Sequence, residues 1–215
     1  MAAMKHNSGV QSTQVQDRLL DAAEKFFCEK GFDRTSVRDL TRAAGCNVAA
    51  VNYYFGGKDK LYIQMFRRQL GRMMQGQREV ISQVLAKPDT VLEDLLRESV
   101  RQALTQLHPN GQGGAVMKLM VREVLNHHVD REQLLGSLEQ DFYTLFAEAF
   151  MKFCPSLSLR QARLLFFSLD ALVVHPLLFH EFYYDVDPDF GEKDMIEHIV
   201  RFASAGIRAY TRGGD

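Results

Sequence analysis

Residues Thr35–Leu61 read TSVRDLTRAAGCNVAAVNYYFGGKDKL. Thr35 or Ser36 can cap a short helix whose apolar positions Val37, Leu40 and Ala44 recur at helical spacing. Gly45 then supplies the residue a tight turn takes, because it has no Cβ to clash at positive φ. Asn47 can cap a second short helix through Val48, Val51 and Phe55. Two helices joined by a short Gly-containing turn are the signature of a helix-turn-helix. In that motif the second helix enters a DNA major groove with its N-terminal residues at base edges.

The residue chemistry between Asn47 and Lys58 suits such a surface. Ala49 and Ala50 allow close approach and contact with a thymine methyl, and the amides of Asn47 and Asn52 can pair with adenine. Tyr53 and Tyr54 carry hydroxyls that reach phosphate oxygens, Lys58 offers a point charge, and Val48 adds an apolar contact. Asp59 suits the positive end of a third helix.

The run from Phe32 to Leu61 resembles the DNA-binding segment of the TetR family of bacterial transcriptional regulators. Thr35, Ser36, Val37, Arg38, Leu40, Ala44, Gly45, Val51, Tyr54, Phe55, Lys58 and Leu61 match the family's pattern. Thr41, Cys46, Asn47 and Asn52 depart from its usual Ala, Val, Ser and Tyr. Asn47 keeps the capping chemistry, whereas Asn52 replaces a phosphate-reaching phenol with an amide. From the motif and the resemblance together, Thr35, Ser36, Arg38, Asn47, Val48, Ala49, Ala50, Asn52, Tyr53, Tyr54 and Lys58 form the expected DNA-binding set.

The remainder of the 215 residues is helix-forming, with only five prolines and 46% hydrophobic residues. An all-α fold is expected, with an N-terminal three-helix helix-turn-helix domain and a C-terminal helical bundle, about nine helices in total. Residues 1–13 read as a flexible tail, 14–60 as the helix-turn-helix domain, and 61–215 as the ligand-binding and dimerisation domain. A helix from Gln14 should stop at Gly31. A long helix should run from Lys58 to Leu85, ended by Lys87-Pro88. Further helices are expected over 89–107, 116–128, 130–153, from Ser158 to about Tyr184, and from Glu192 to about Thr211. Ser158 and Gln161 make a capping box, and His108 to Gly114 is a loop by composition.

Charge excludes a wholesale nucleic-acid coat, since the formal net charge is −1. Residues 1–60 hold nine Lys and Arg against seven Asp and Glu, and the rest hold 17 against 20. That mild local excess suffices for a site-specific reader. Cys28, Cys46 and Cys154 include no CxxC pair, so neither a disulfide framework nor a metal site is indicated. The chain opens without an apolar leader, and the run Leu164 to Phe182 is broken by Ser168, Asp170, His175, Pro176, His180 and Glu181. A buried helix, no membrane span and a cytoplasmic location are therefore expected. His127-His128 point about a hundred degrees apart on a helix and lack an acidic ligand set. No catalytic motif occurs, and no cofactor is expected beyond an unidentified small-molecule effector.

The last two helices carry more apolar surface than one packed face needs. Burial against a second copy would make a four-helix interface through residues about 159–184 and 192–211, the arrangement the family resemblance implies. The resemblance also implies a mainly apolar pocket in the middle helices. Met117, Met120, Glu123, Phe142, Phe146, Phe166, Asp170 and His175 are its candidate lining. Asp170, a carboxylate inside an apolar run, could hold a polar ligand group, pair with Arg122 or cap a backbone group. Pro176 is expected to kink its helix. The resulting reading is a homodimeric repressor on a palindromic double-stranded operator, released by an effector. The alternatives are an activator, a DNA-binding protein without effector, and a helical enzyme.

Overall fold

The structure, a computed structural model, describes residues 3–108, 112–126, 129–179 and 191–212. The described residues form helices and no strand: α1 (Ala3–Lys30), α2 (Val37–Ala43), α3 (Ala49–Phe55), α4 (Lys58–Leu85), α5 (Leu92–Gln106), α6 (Gln112–Asn126), α7 (Arg131–Phe153), α8 (Leu159–Leu178) and α9 (Glu192–Arg212). The all-α expectation holds.

Two boundaries differ from the sequence reading. Helix α1 begins at Ala3, within the stretch 1–13 expected as a tail. Extending an existing helix adds one hydrogen bond per residue fixed, so a polar run without proline continues it readily. Helix α6 begins at Gln112, inside the stretch expected as a loop. Helix α7 breaks at Gly136, whose φ of 49° and ψ of −137° only glycine adopts cheaply. Helix α8 runs through Pro176 to Leu178 and is capped as expected, Ser158 Oγ accepting from the Gln161 amide at 3.3 Å. The expected extension of α8 to Tyr184, with His180 and Glu181, and the pair His127-His128 lie outside the described residues.

The chain packs as two compact units, Met1–Gln69 with Ala115–Gly136, and Leu70–Gly114 with Ser137–Asp215. The division thus falls inside α4, not at residue 60, and the first unit recruits a later segment. Packing explains this. Leu19, Ala22, Ala23 and Phe27 of α1 share one core with Leu40, Ala44 and Val51 of the motif, with Leu61, Tyr62, Met65 and Phe66 of α4, and with Val116 and Leu119 of α6. Tyr62 lies at its centre, its ring 4.8 Å from Phe27, 5.0 Å from Phe32 and 4.8 Å from Phe66. Each large ring removed from water contributes roughly 1.5–3 kcal/mol, so this short α2–α3 pair is stabilised by what it packs against.

In the second unit α5, α8 and α9 pack together around Leu95, Leu96, Val100, Leu165, Leu169, Ile199, Val200 and Ile207. Arg97–Glu197 and Arg208–Glu93, both at 2.8 Å, tie α5 to α9. Helix α8 is long and apolar enough by composition to cross a bilayer, but its buried stripe of Ala162, Leu165, Phe166, Leu169, Val173 and Leu177 is spent on protein packing.

Candidate nucleic-acid interface

Helix α2 starts at a reciprocal cap. The Ser36 hydroxyl accepts from the Asp39 amide at 3.1 Å, and the Asp39 carboxylate takes the Ser36 amide and hydroxyl. These hydrogen bonds hold the Asp39 carboxyl below its ordinary value. Thr35 faces the other way. Its side chain is 1% exposed and its hydroxyl donates to Gly31 O at 2.8 Å and Phe26 O at 3.1 Å, closing the end of α1. Thr35 therefore leaves the expected surface set: its hydroxyl is consumed inside the fold.

The turn is fixed from both sides. Gly45 adopts φ 61°, and the Cys46 amide donates to Thr41 O at 3.0 Å. Arg18 of α1 donates through Nε to Ala44 O at 2.9 Å, satisfying a carbonyl that the end of α2 leaves free. The buried Thr41 hydroxyl donates to Val37 O at 2.9 Å. This bond lets a hydroxyl stand where the family usually has a methyl. Asn47 Oδ1 accepts from the Ala49 amide at 2.9 Å, starting α3, and Gly56 ends it at φ 74°.

One side of α3 then faces solvent. Val51 is fully buried, while Asn47, Val48, Ala49, Asn52 and Tyr53 are exposed, Tyr53 at 81%. Ala50 and Tyr54 are half-buried against the core, and the two tyrosine rings meet edge to face at 4.8 Å. Ser36 and Arg38 are exposed on α2. Lys58, half-buried, holds its ammonium 4.1 Å above the Phe32 ring, an arrangement that positions a cation at the start of α4. Chemically this is an amide, methyl and phenol surface with a neighbouring cation.

The eight residues expected to line a pocket are divided between the two units. Met117, Met120 and Glu123 belong to the first unit, the other five to the second. Met120 packs on the first unit's core. Glu123 is 3% exposed, accepts the Tyr62 hydroxyl at 3.0 Å and accepts the Val129 amide at 2.7 Å. Its carboxylate therefore joins α4, α6 and the start of the next segment, a structural use that sequence reasoning did not foresee. The burial and the nearby carboxylate push the Tyr62 phenol upward, so it stays a donor.

In the second unit Phe142, Phe146 and Phe166 do converge, with centroids 5.3 Å, 5.4 Å and 4.5 Å apart pairwise. Asp170 is exposed on α8 rather than buried, and His175 is exposed with its ring 4.7 Å from Phe179. Arg122, offered as a partner for Asp170, falls in the first unit, where its charge acts on Cys28. A cleft of about 450 Å³, absent from the sequence reading, is lined by Thr90, Val91, Phe153, Cys154, Arg208 and Thr211 among others.

Sequence reasoning also missed a buried carboxylate on α1. Glu24, 2% exposed, accepts from Arg68 at 3.1 Å and from Gln69, and Arg68 reaches Asp21 at 2.8 Å. Glu24 precedes Arg68 by 44 residues, so no local pattern could have paired them.

A capped helix, a left-handed glycine turn and a second helix with one buried and one open side define a helix-turn-helix protein. Residues 19–65 match the family described as bacterial regulatory proteins, tetR family. The chain is 26% identical over 148 residues to the HTH-type transcriptional dual regulator CecR of Shigella flexneri, covering 64% of this chain and 66% of that one. It is 43% identical over 47 residues to the probable HTH-type transcriptional regulator YttP of Bacillus subtilis, covering 22% of this chain and 23% of that one. The matches thus span just under two thirds of one relative and under a quarter of the other. The fold resembles the fatty acid degradation regulator FadR of Bacillus halodurans, with a TM-score of 0.63 at 20% identity, over 87% of this chain and 93% of that one. Residues 19–65 thus carry a DNA-binding segment of the tetR type, and the fold over most of the chain is that of such regulators.

Proposed function

We propose that this chain is a homodimeric DNA-binding repressor that occupies a palindromic operator and leaves it when a small molecule binds. The observation that carries the reading is the open side of α3, where Asn47, Ala49, Asn52 and Tyr53 stand clear of a core that buries Val51. In this reading residues 14–60 read the operator, and 61–215 dimerise and sense. Asn47 and Asn52 contact bases, while Ser36, Arg38, Tyr53, Tyr54 and Lys58 hold the phosphates. Val48, Ala49 and Ala50 give close apolar approach.

A single short helix buries too little surface to select one site. Two copies on half-sites about one helical turn, ~34 Å, apart multiply their affinities. The exposed Leu164, Phe167, Phe202 and Tyr210 of α8 and α9 support a second copy as their cover. An effector that binds the operator-free conformation more tightly shifts the population toward it by that difference in affinity. Such a regulator works in the cytoplasm, where the DNA is.

A gel shift with the DNA upstream of the chain's own gene tests the reading. Lys58→Ala should weaken binding to all sequences alike and flatten the salt dependence. Asn52→Ala should change the preferred base at one position, by about 1–3 kcal/mol for a bidentate contact. Binding that is insensitive to both substitutions would remove α3 as the reader.

A further inference from the structure

The cation at the start of α4 is held by a chain of contacts that runs from the end of α6, and every member of that chain belongs to the first unit. The Val129 amide donates to one Glu123 oxygen at 2.7 Å, and the other oxygen accepts the Tyr62 hydroxyl at 3.0 Å. Glu123 is 3% exposed and Tyr62 is fully buried, so a bond broken here is not replaced by one to water. The Tyr62 ring meets Phe32 edge on at 5.0 Å. Phe27 stacks on Phe32 at 5.9 Å, and the Thr35 amide donates to the Phe32 carbonyl at 3.2 Å. Phe32 is therefore fixed through its backbone and by two neighbouring rings.

Lys58 rests its ammonium 4.1 Å from the centre of the Phe32 ring, and among the described residues it forms no ion pair. A ring face attracts an ammonium without neutralising it. The full charge, and the N–H donors turned away from the ring, stay available to a phosphate. A flexible four-carbon stem loses rotamer freedom when DNA fixes its end, and one that is already seated loses less.

We propose that Glu123, Tyr62 and Phe32 are positioning residues for DNA binding, forming a buried strut from α6 that holds the Lys58 ammonium ready for a phosphate of the duplex. The inference rests on reading Lys58 as a phosphate contact.

The test is a double-mutant cycle on the full chain. Phosphate contacts do not depend on sequence, so a mixed-sequence DNA duplex at low salt is the probe, and circular dichroism fixes the folded fraction of each variant. Phe32→Leu takes away the seat but not the charge, and should weaken binding roughly threefold to tenfold. Tyr62→Phe frees the ring from Glu123 and should weaken it about twofold to threefold. Neither substitution should have a further effect in Lys58→Ala. Both should keep their full effect in Lys60→Ala, since the Lys60 stem lies over Gly56 instead. A merely structural role would give the same fold-loss with Lys58 present or absent, and that result would overturn the proposal. So would full binding by Phe32→Leu or by Tyr62→Phe. Where Lys58→Ala itself binds more weakly than wild type, such a failure removes the strut alone. If Lys58→Ala binds as well as wild type, or neither binds, the reading of Lys58 beneath it falls too.

Discussion

Among the described residues, the first compact unit partners nearly all of its buried polar groups, while the second leaves several unpaired. Glu24, Thr35, Thr41, Gln69 and Glu123 are all buried in the first and all have protein partners. Among the described residues of the second, Gln77 Oε1, Ser99 Oγ and Arg163 Nε are buried without one, and Arg68 Nε is the atom of that kind in the described part of the first. The large apolar side chains divide the same way. Val48, Tyr53 and Leu125 are exposed in the first unit, whereas Val91, Leu159, Leu164, Phe167, Phe179, Phe202 and Tyr210 are exposed in the second. Of these, Val48 and Tyr53 lie on or beside α3, the proposed reading surface. An orphaned buried polar atom costs about 1–3 kcal/mol, and a large exposed ring forgoes a similar gain. The described part of the first unit is satisfied largely within its own chain, and the exposed rings of the second are the surface that the proposed second copy would cover.

The sharpest way to break this contrast is at α9. Phe202 is 61% exposed in the single chain. If a second copy covers it, Phe202→Asp removes two buried rings per dimer and places two charges there. The loss is about 3 kcal/mol or more, at least a hundredfold in the dimer dissociation constant. Sedimentation equilibrium reads it, and an unchanged association would leave that face without its proposed cover. Next is Phe27→Ala in the finished core, which should cost about 3–5 kcal/mol in a denaturant melt. A much smaller loss would mean that the first unit is less tightly packed than its ring contacts imply.

Tyr62→Phe keeps the ring and removes the donor to Glu123, and should cost about 1–3 kcal/mol. A neutral result would mean that the Val129 amide alone satisfies the carboxylate. Ser36→Ala should cost about 1 kcal/mol through the lost cap.

The pH dependences have opposite signs in the two units. Asp39 has a folded value below its ordinary 3.8, so its stabilisation is complete above that pH and fades as pH falls through the lower folded value. In Ser36→Ala the Asp39 titration, followed by NMR, should move back up. Asp170 is raised from 3.8 to about 6, so it costs stability increasingly as pH rises across that interval. Asp170→Asn should thus be the more stable chain at pH 7 and lose that advantage below the ordinary carboxylate range.

Much of α2, the turn and α3 was legible because each decision there is local. Ser36 and Asp39 are three residues apart, Gly45 answers a single dihedral requirement, and Asn47 caps two residues ahead. The long α4 and the capping box of α8 were readable for the same reason. The candidate pocket was not. Periodicity says that Glu123 and Asp170 lie in apolar helices, but it does not say which elements those helices meet. Glu123 met a phenol 61 residues away and became part of the first unit's frame. Asp170 fell at the edge of α8's buried stripe, a position that depends on where α7 lies.

By itself the sequence determined the helices, their caps, the glycine turn and the open chemistry of α3, because backbone propensity and capping act over three or four residues. Tertiary structure alone decided that Thr35 turns inward, that α6 contributes to the first unit's core, that α4 is divided between the two units, and that Asp170 falls on the exposed edge of α8's buried stripe. Those outcomes depend on contacts between residues far apart in the chain, where the free energy of burial is shared by several helices and no single stretch encodes the partner.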